Sequence, residues 1–344
     1  MAHLYGAVTV PCDALAEQGA RSHIVLLTVA VVHARTTGRD EGCIVAVIAL
    51  VTCEETPVGI ALDDVARVDA PLASALRDRG VTVAAPSWRA TDVDWDACDM
   101  AVVRTVWDYI DARDEFVAWA DEVGQITDLW NRPEVLRWNT HKSYLLELED
   151  RGAPVIPTAW TAQGDRIDLW RLMTTRGWGE VVIKPAVASG SLRLLRAGGG
   201  DVTMAQRHLD QLLVTDDVMI QPYLPAIATR GEVSVVVIDG IVSHVVRKRA
   251  AAGDFRVQSE YGGVYEPLDD ADEASRLAEW IVEATGHPLL VARVDLVEDA
   301  TGQLQLIELE ATEPDLFLNL VPAAADLLAD AMVERLASPP GGSA

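Results

Sequence analysis

Two segments near the C-terminal end of the chain constrain its fold more than anything else in the sequence. In Val291-Ala292-Arg293-Val294-Asp295-Leu296-Val297 and in Leu304-Gln305-Leu306-Ile307-Glu308-Leu309-Glu310, charged side chains interrupt runs that are otherwise apolar and strand-like. Residues two apart on a strand point to the same side, so Arg293 shares a face with Asp295, and Glu308 with Glu310. Pairing of the two strands would bring three carboxylates and one guanidinium together. Carboxylates that close repel one another unless a cation lies among them. Oxygen donors without sulfur or imidazole suit magnesium. The bland alternative is a solvated strand edge, and the apolar neighbours, Leu309 among them, argue against it.

A chain of 344 residues has room for about two to three domains. Half of its residues are hydrophobic and 24% are charged, which permits a large core and excludes disorder or a fibre. The 53 acidic residues outnumber 28 basic ones, for a net charge of −25. Nucleic acid and anionic membranes are therefore excluded as general partners. A phosphate ligand would need a few placed cations or a metal. Cys12, Cys43, Cys53 and Cys98 form neither a disulfide framework nor a CxxC zinc motif, so free thiols in a reducing compartment are expected. The apolar run Ile24 to Val32 is too short to span a bilayer. Asp13 and Glu17 precede it where a signal peptide wants positive charge, so a cytoplasmic protein is expected.

Residues 1–43 carry no recognisable chemistry and read as a dispensable extension. The run Ile44 to Thr52 reads as a parallel strand buried on both faces. A helix over Leu72 to Arg79 closed by Gly80, then strands Val81 to Ala85 and Met100 to Arg104, complete a β-α-β alternation. Ligands of such sheets sit beyond the carboxyl ends of the strands. That makes Thr52, Arg104 and Asp108 candidate substrate contacts. Further on, Asn139 is expected to cap a helix from Thr140 to Arg151, stopped by Gly152 and Pro154. Strands follow at Val181 to Pro185, with Ser191 to Arg196 pairing back onto it, and at Val218 to Gln221. Glu232 to Ile238 and Ile241 to Arg247 read as a hairpin across Asp239-Gly240, a type I′ turn signal.

Lysine occurs only at positions 142, 184 and 248. Lys184 stands in a strand that reads as buried, where an ammonium needs an anionic partner. The loop Pro185 to Ser191, with Ser189 and Gly190, offers small residues whose backbone N–H groups can approach phosphate oxygens. Ala250 to Gly263 is a longer loop carrying Arg256, with Gly253 and Gly262-Gly263 as hinge candidates. No Walker loop, G-x-G-x-x-G, G-x-S-x-G or H-E-x-x-H is present.

Taken in order, Lys142, Ile183-Lys184-Pro185, Gln221-Pro222-Tyr223-Leu224, Gly231-Glu232, Arg247-Lys248, Arg293-Val294-Asp295 and Glu308-Leu309-Glu310 resemble the ATP-grasp superfamily over about residues 45–330. The resemblance implies an α/β N-terminal domain (44–140) followed by α+β ATP-grasp lobes. These are a small lobe (141–224) and a large lobe (225–344) ending in a helix, with ATP between two antiparallel sheets. It implies Lys142, Lys184, Ser189 and Gly190 at the phosphates and Gln221, Tyr223 and Leu224 at the adenine. Glu232 would take the ribose, and Asp295, Glu308 and Glu310 would hold Mg2+. Arg293 would act on the transferred phosphoryl group, with Lys248 and Arg256 as further catalytic candidates. Two positions depart from the common pattern: Gln221 replaces an acidic residue, and Glu310 replaces an asparagine ligand.

The strings Val106-Trp107-Asp108-Tyr109, Leu129-Trp130-Asn131, Trp138-Asn139, Gly253-Asp254-Phe255-Arg256 and Glu313-Pro314-Asp315-Leu316-Phe317 resemble glutathione-synthetase-like ligases of secondary metabolism. This implies a small amino-acid-like carboxylate, activated by ATP as an acyl phosphate and captured by nitrogen. The nitrogen could belong to the same molecule, closing a ring, or to a separate amine. A nucleotide-binding regulator without catalysis is a third reading, against which Asp295 and Arg293 both stand. A homo-oligomer stays open.

Overall fold

The computed structural model describes residues 45–54 and 62–337. The extension expected at residues 1–43, and its dispensability, lie outside the described residues.

Three sheets organise the chain. The first holds β1 (Val47–Thr52), β2 (Thr82–Ala84), β3 (Met100–Thr105) and β4 (Leu129–Trp130), all parallel, in the order β2-β1-β3-β4. All six residues of β3 are buried. Cover on both faces is why these strands read as unbroken apolar runs rather than alternating ones. The second sheet is antiparallel, in the order β5-β8-β6-β7: β5 (Ala159–Thr161), β6 (Glu180–Pro185), β7 (Leu195–Gly198) and β8 (Val218–Pro222). Helices Leu169–Arg176 and Val202–Leu212 pack on it through Leu169, Met173, Ala205 and Leu209. The third sheet runs β11-β10-β9-β12-β13: β9 (Glu232–Ile238), β10 (Ile241–Arg249), β11 (Val264–Pro267), β12 (Val291–Glu298) and β13 (Leu304–Glu310). It is antiparallel, as the hairpin signals required. Asp239 and Gly240 both adopt positive φ, 51° and 78°, as a type I′ turn demands.

Two local expectations need correction. Asn139 does not cap the following helix: it ends the helix Pro133–Asn139, and the next helix, Tyr144–Asp150, starts five residues later. Its buried amide instead accepts from Ala311 N (2.7 Å) and donates to Leu309 O (2.7 Å) at the end of β13. The return strand also begins late: Ser191 and Arg193 have positive φ and form a turn, and only Leu195–Gly198 pairs with β6.

The core does not respect the division between the parallel sheet and the third sheet. One cluster joins Ile48, Leu50 and Leu76 to Val236, Ile238 and Val246 through Leu328, Ala329 and Met332 of the last helix, Ala323–Ala337. Among the described residues no helix is long and apolar enough to cross a membrane.

Candidate active site

Strand β12 lies between β9 and β13, and its register builds the site. Asp295 is opposite Ser234 on one side and Glu308 on the other; Arg293 is opposite Glu310. Directly opposed residues share a face, so the convergence expected from the alternating charges is present. Asp295 accepts from Ser234 Oγ (2.5 Å), from Arg293 Nε (3.0 Å) and Nη2 (2.9 Å), and from Lys248 Nζ (3.3 Å). Lys248 also pairs with Glu232, and Arg293 with Glu310. Burial pushes the Asp295 carboxyl up, but the Arg293 and Lys248 charges outweigh it and hold the group below the usual carboxylate range. Glu310 goes the other way: burial drives its pKa well up despite Arg293.

The second antiparallel sheet supplies the opposite wall. Lys142, in the turn before its helix, pairs with Glu308 (2.8 Å) and donates to Ala188 O (2.6 Å). Its backbone N–H also reaches Ala186 O (2.9 Å), so Lys142 ties the small-residue loop to the third sheet. Burial tends to raise the Glu308 carboxyl, and Lys142 and Lys184 together hold it down. Lys184 differs from the other two lysines. It is 7% exposed, and its ammonium makes no hydrogen bond or ion pair among the described residues. Burial lowers its pKa. A buried ammonium outside any ion pair is costly, and a ligand's negative charge there would offset that cost.

These groups line one cavity. Ser189, Gly190, Gln221 and Leu224 line it, with Ile156, Val182, Ile227 and Ile307 as apolar wall. Gln221 donates Nε2 to Thr158 Oγ (2.9 Å), which leaves Oε1 as an acceptor, as a carboxylate would be at that position. Arg256 also lines the cavity, but its guanidinium is bound to Asp254 (2.7 Å) and stacks over Tyr261.

Four expected contacts do not reach the cavity. Tyr223 lies just past β8, under the Arg196 guanidinium at 3.6 Å, beside Phe255. Thr52 accepts from Thr105 Oγ1 (2.8 Å). Arg104 is fully buried and pairs with Asp69 (2.9 Å). Asp108 takes Trp88 Nε1 (2.7 Å) and Glu54 N (3.1 Å). The last three hold the N-terminal unit together. One charged cavity residue lay outside the expectations from sequence: Glu313, 8% exposed, whose pKa burial raises to about 7 against the lowering charge of Lys142. Its only signal was its place in the Glu313 to Phe317 string.

The donor set fits magnesium in atom type, since Asp295, Glu308 and Glu310 offer carboxylate oxygens from one face with no sulfur or imidazole among them. Among the described residues no three metal-type side chains already form a cage. Asp295 is engaged by two cations, so a metal there must displace one of them.

Two family models match the sequence. One, described as D-cycloserine synthetase DcsG, N-terminal domain, covers residues 48–131; the other, a RimK-like ATP-grasp domain, covers residues 181–317. The chain is 32% identical to the cycloserine biosynthesis protein DcsG of Streptomyces lavendulae, over 77% of this chain and 93% of the relative. It is 29% identical to a glutathione synthetase of Prochlorococcus marinus (strain MIT 9313), over 60% and 63%. A crystal structure of D-cycloserine synthetase DcsG superposes with a TM-score of 0.75 at 29% identity, covering 85% of this chain and 100% of that one. At 18% identity, the ATP-grasp ligase PsnB, solved with a minimal precursor, Mg and ADP, shares the fold with a TM-score of 0.56 over 84% of this chain and 98% of that one.

Proposed function

The chain belongs to the DcsG-like ATP-grasp ligases with a RimK-like domain, and from that membership we propose that it closes the ring of D-cycloserine from O-ureido-D-serine. ATP phosphorylates the substrate carboxylate, giving an acyl phosphate and ADP. The nitrogen bonded to oxygen in the same molecule attacks the acyl carbon, phosphate leaves, and a five-membered ring forms. Hydrolysis of the carbamoyl group releases carbon dioxide and ammonia. Attack within one molecule has a large entropic advantage once the two ends are held together.

The observation that carries the phosphoryl-transfer reading is Lys184, a buried cation in no ion pair among the described residues, lining the same cavity as five carboxylates. Lys142 and Lys184 supply fixed positive charge for the phosphates, and the Pro185 to Ser191 loop supplies backbone donors. Arg293, anchored on Asp295 and Glu310, presents its guanidinium to the phosphoryl group. Glu308 and Glu310, with Asp295, would hold magnesium, which neutralises phosphate charge when bound. Gln221 and Leu224 receive the base, and Glu232 the ribose. The Ala250 to Gly263 loop covers the cavity through Phe255 and Gln258 and limits hydrolysis of the acyl phosphate. A cytoplasmic setting, with ATP and magnesium at hand, goes with this reading.

The test is product analysis by mass spectrometry with ATP, magnesium and O-ureido-D-serine and no added amine. D-cycloserine and stoichiometric ADP are expected. Product only when a second amine is supplied would instead indicate an intermolecular ligase.

A further inference from the structure

The cavity holds two buried charged groups that form no ion pair among the described residues. Lys184 is one, and phosphate answers it. The other is Glu313. It lines the cavity at 8% exposure and forms no ion pair among the described residues; the charges of Lys142 and Arg293 reach it only beyond ion-pair distance, and burial still holds its pKa up. A buried carboxylate in that state calls for a cation from outside the protein.

Its surroundings say which cation. Glu313 follows β13 on a segment fixed at several points. Asn139 Oδ1 takes Ala311 N and the Thr312 hydroxyl, and Arg293 Nη1 donates to Asp315 O (3.2 Å). Arg104 Nη1 lies 3.4 Å from Pro314 O. Arg104 and Tyr109 both come from the carboxyl side of β3, in the N-terminal unit. The groups facing the base, Gln221 and Leu224, come from the other sheet. Glu313 therefore stands on the side of the cavity that faces the N-terminal unit, near Lys142 and Glu308 of the reacting end.

We propose that Glu313 receives the α-ammonium group of the substrate, so that the enzyme selects amino acids over the same carboxylic acids without the amine. This rests on the ligase reading above and names the group by which its substrate is recognised. Glu313 is then a specificity residue that touches substrate, held in place by Arg104 and Arg293. Together with the carboxylate and the side-chain nitrogen it makes three points of attachment, the number needed to tell one enantiomer from the other.

The experiment compares O-ureido-D-serine with its desamino counterpart, 3-(ureidooxy)propionate, in wild type and in Glu313→Gln. Wild type is expected to favour the amino acid in kcat/KM by about thirty- to a hundred-fold, the scale of one charge-assisted contact. Glu313→Gln should raise KM for the amino acid by a similar factor and nearly erase the preference. Its affinity for MgATP and its magnesium dependence should stay within about twofold of wild type. An unchanged KM in Glu313→Gln overturns the proposal. So does a parallel loss of MgATP affinity, which would make Glu313 a metal ligand. Should the variant misfold by circular dichroism, equal use of both acids by wild type overturns it alone. If wild type forms no cycloserine but turns over another amino acid, the ring-closing reading falls, and the same comparison on that amino acid and its desamino form still decides Glu313.

Discussion

At the scale of single residues, the site divides into charges the protein has already paired and charges it has not. Lys248 and Arg293 are in ion pairs, and among the described residues Lys184 is in none. That difference makes opposite predictions for stability. Lys184→Met keeps the length of the side chain and removes a buried charge, so the ligand-free protein should become more stable, by about 1–2 kcal/mol. MgATP affinity should fall about thirty- to a hundred-fold. Thermal melts without ligand, beside calorimetric ATP titration, read both; a destabilised apoprotein would mean that Lys184 has a protein anion after all. Arg293→Lys should behave otherwise. One guanidinium holds Asp295, Glu310 and the Asp315 carbonyl at once, and an ammonium cannot span three partners. It should cost about 1–3 kcal/mol in urea unfolding and about a hundred- to a thousand-fold in kcat. A loss of rate with full stability would show that the fork is not structural.

At the scale of elements, the period-2 pattern was enough to predict β12 and β13, because a strand buried on one face and lining a site on the other leaves its charges at alternate positions. The β9–β10 turn was equally legible, since Asp-Gly accepts two positive φ values. What the sequence did not disclose depends on partners far along the chain. Asn139 looks like a helix cap, yet its amide serves a strand end 170 residues away. Tyr223 falls one residue beyond β8, where alternation no longer assigns a face. Arg104 and Asp108 are at the carboxyl side of the parallel sheet as expected, but that rule gives a location and no side-chain direction. Gly231 shows how an element end can matter to the site. Its φ is 83°, and a Cβ there would lie 2.4 Å from Lys248 O. Gly231→Ala should cost about 1–3 kcal/mol from the backbone alone. It should also weaken ATP binding, because β10 must shift while carrying Lys248. Melting temperature and ATP affinity falling together is the expected result; a fall in stability alone would separate the turn from the site.

At the scale of the whole molecule, the question is which parts can move when the cavity closes. The parallel sheet and the third sheet share one core through the last helix, and Arg79 bonds to Asp326 (3.0 Å) and Asp330 (2.6 Å) on that helix. Asn131, at the end of β4, makes the tightest link. Its Nδ2 donates to Val291 O (2.8 Å) and Ala311 O (2.7 Å), and its Oδ1 accepts from Leu290 N (2.7 Å). Val291 opens β12 and Ala311 follows β13, so one buried amide fixes the N-terminal unit to both strands of the acidic face. Closure is therefore left to the second sheet and the Ala250 to Gly263 loop, where Phe255 meets Tyr223 and Arg196. Asn131→Ala tests this division. It strands three buried backbone groups, each worth about 1–3 kcal/mol when left without a partner, so a loss of at least about 3 kcal/mol is expected. Because the core is continuous, unfolding should remain a single transition followed identically by near- and far-ultraviolet circular dichroism. Saturating MgATP should restore part of the lost stability by mass action, whereas turnover should fall further than binding, since the Glu313 segment that follows Ala311 loses its anchor. Two separate transitions in the variant, or unchanged turnover, would mean that the N-terminal unit is an independent body and that Asn131 does not set the geometry of the site.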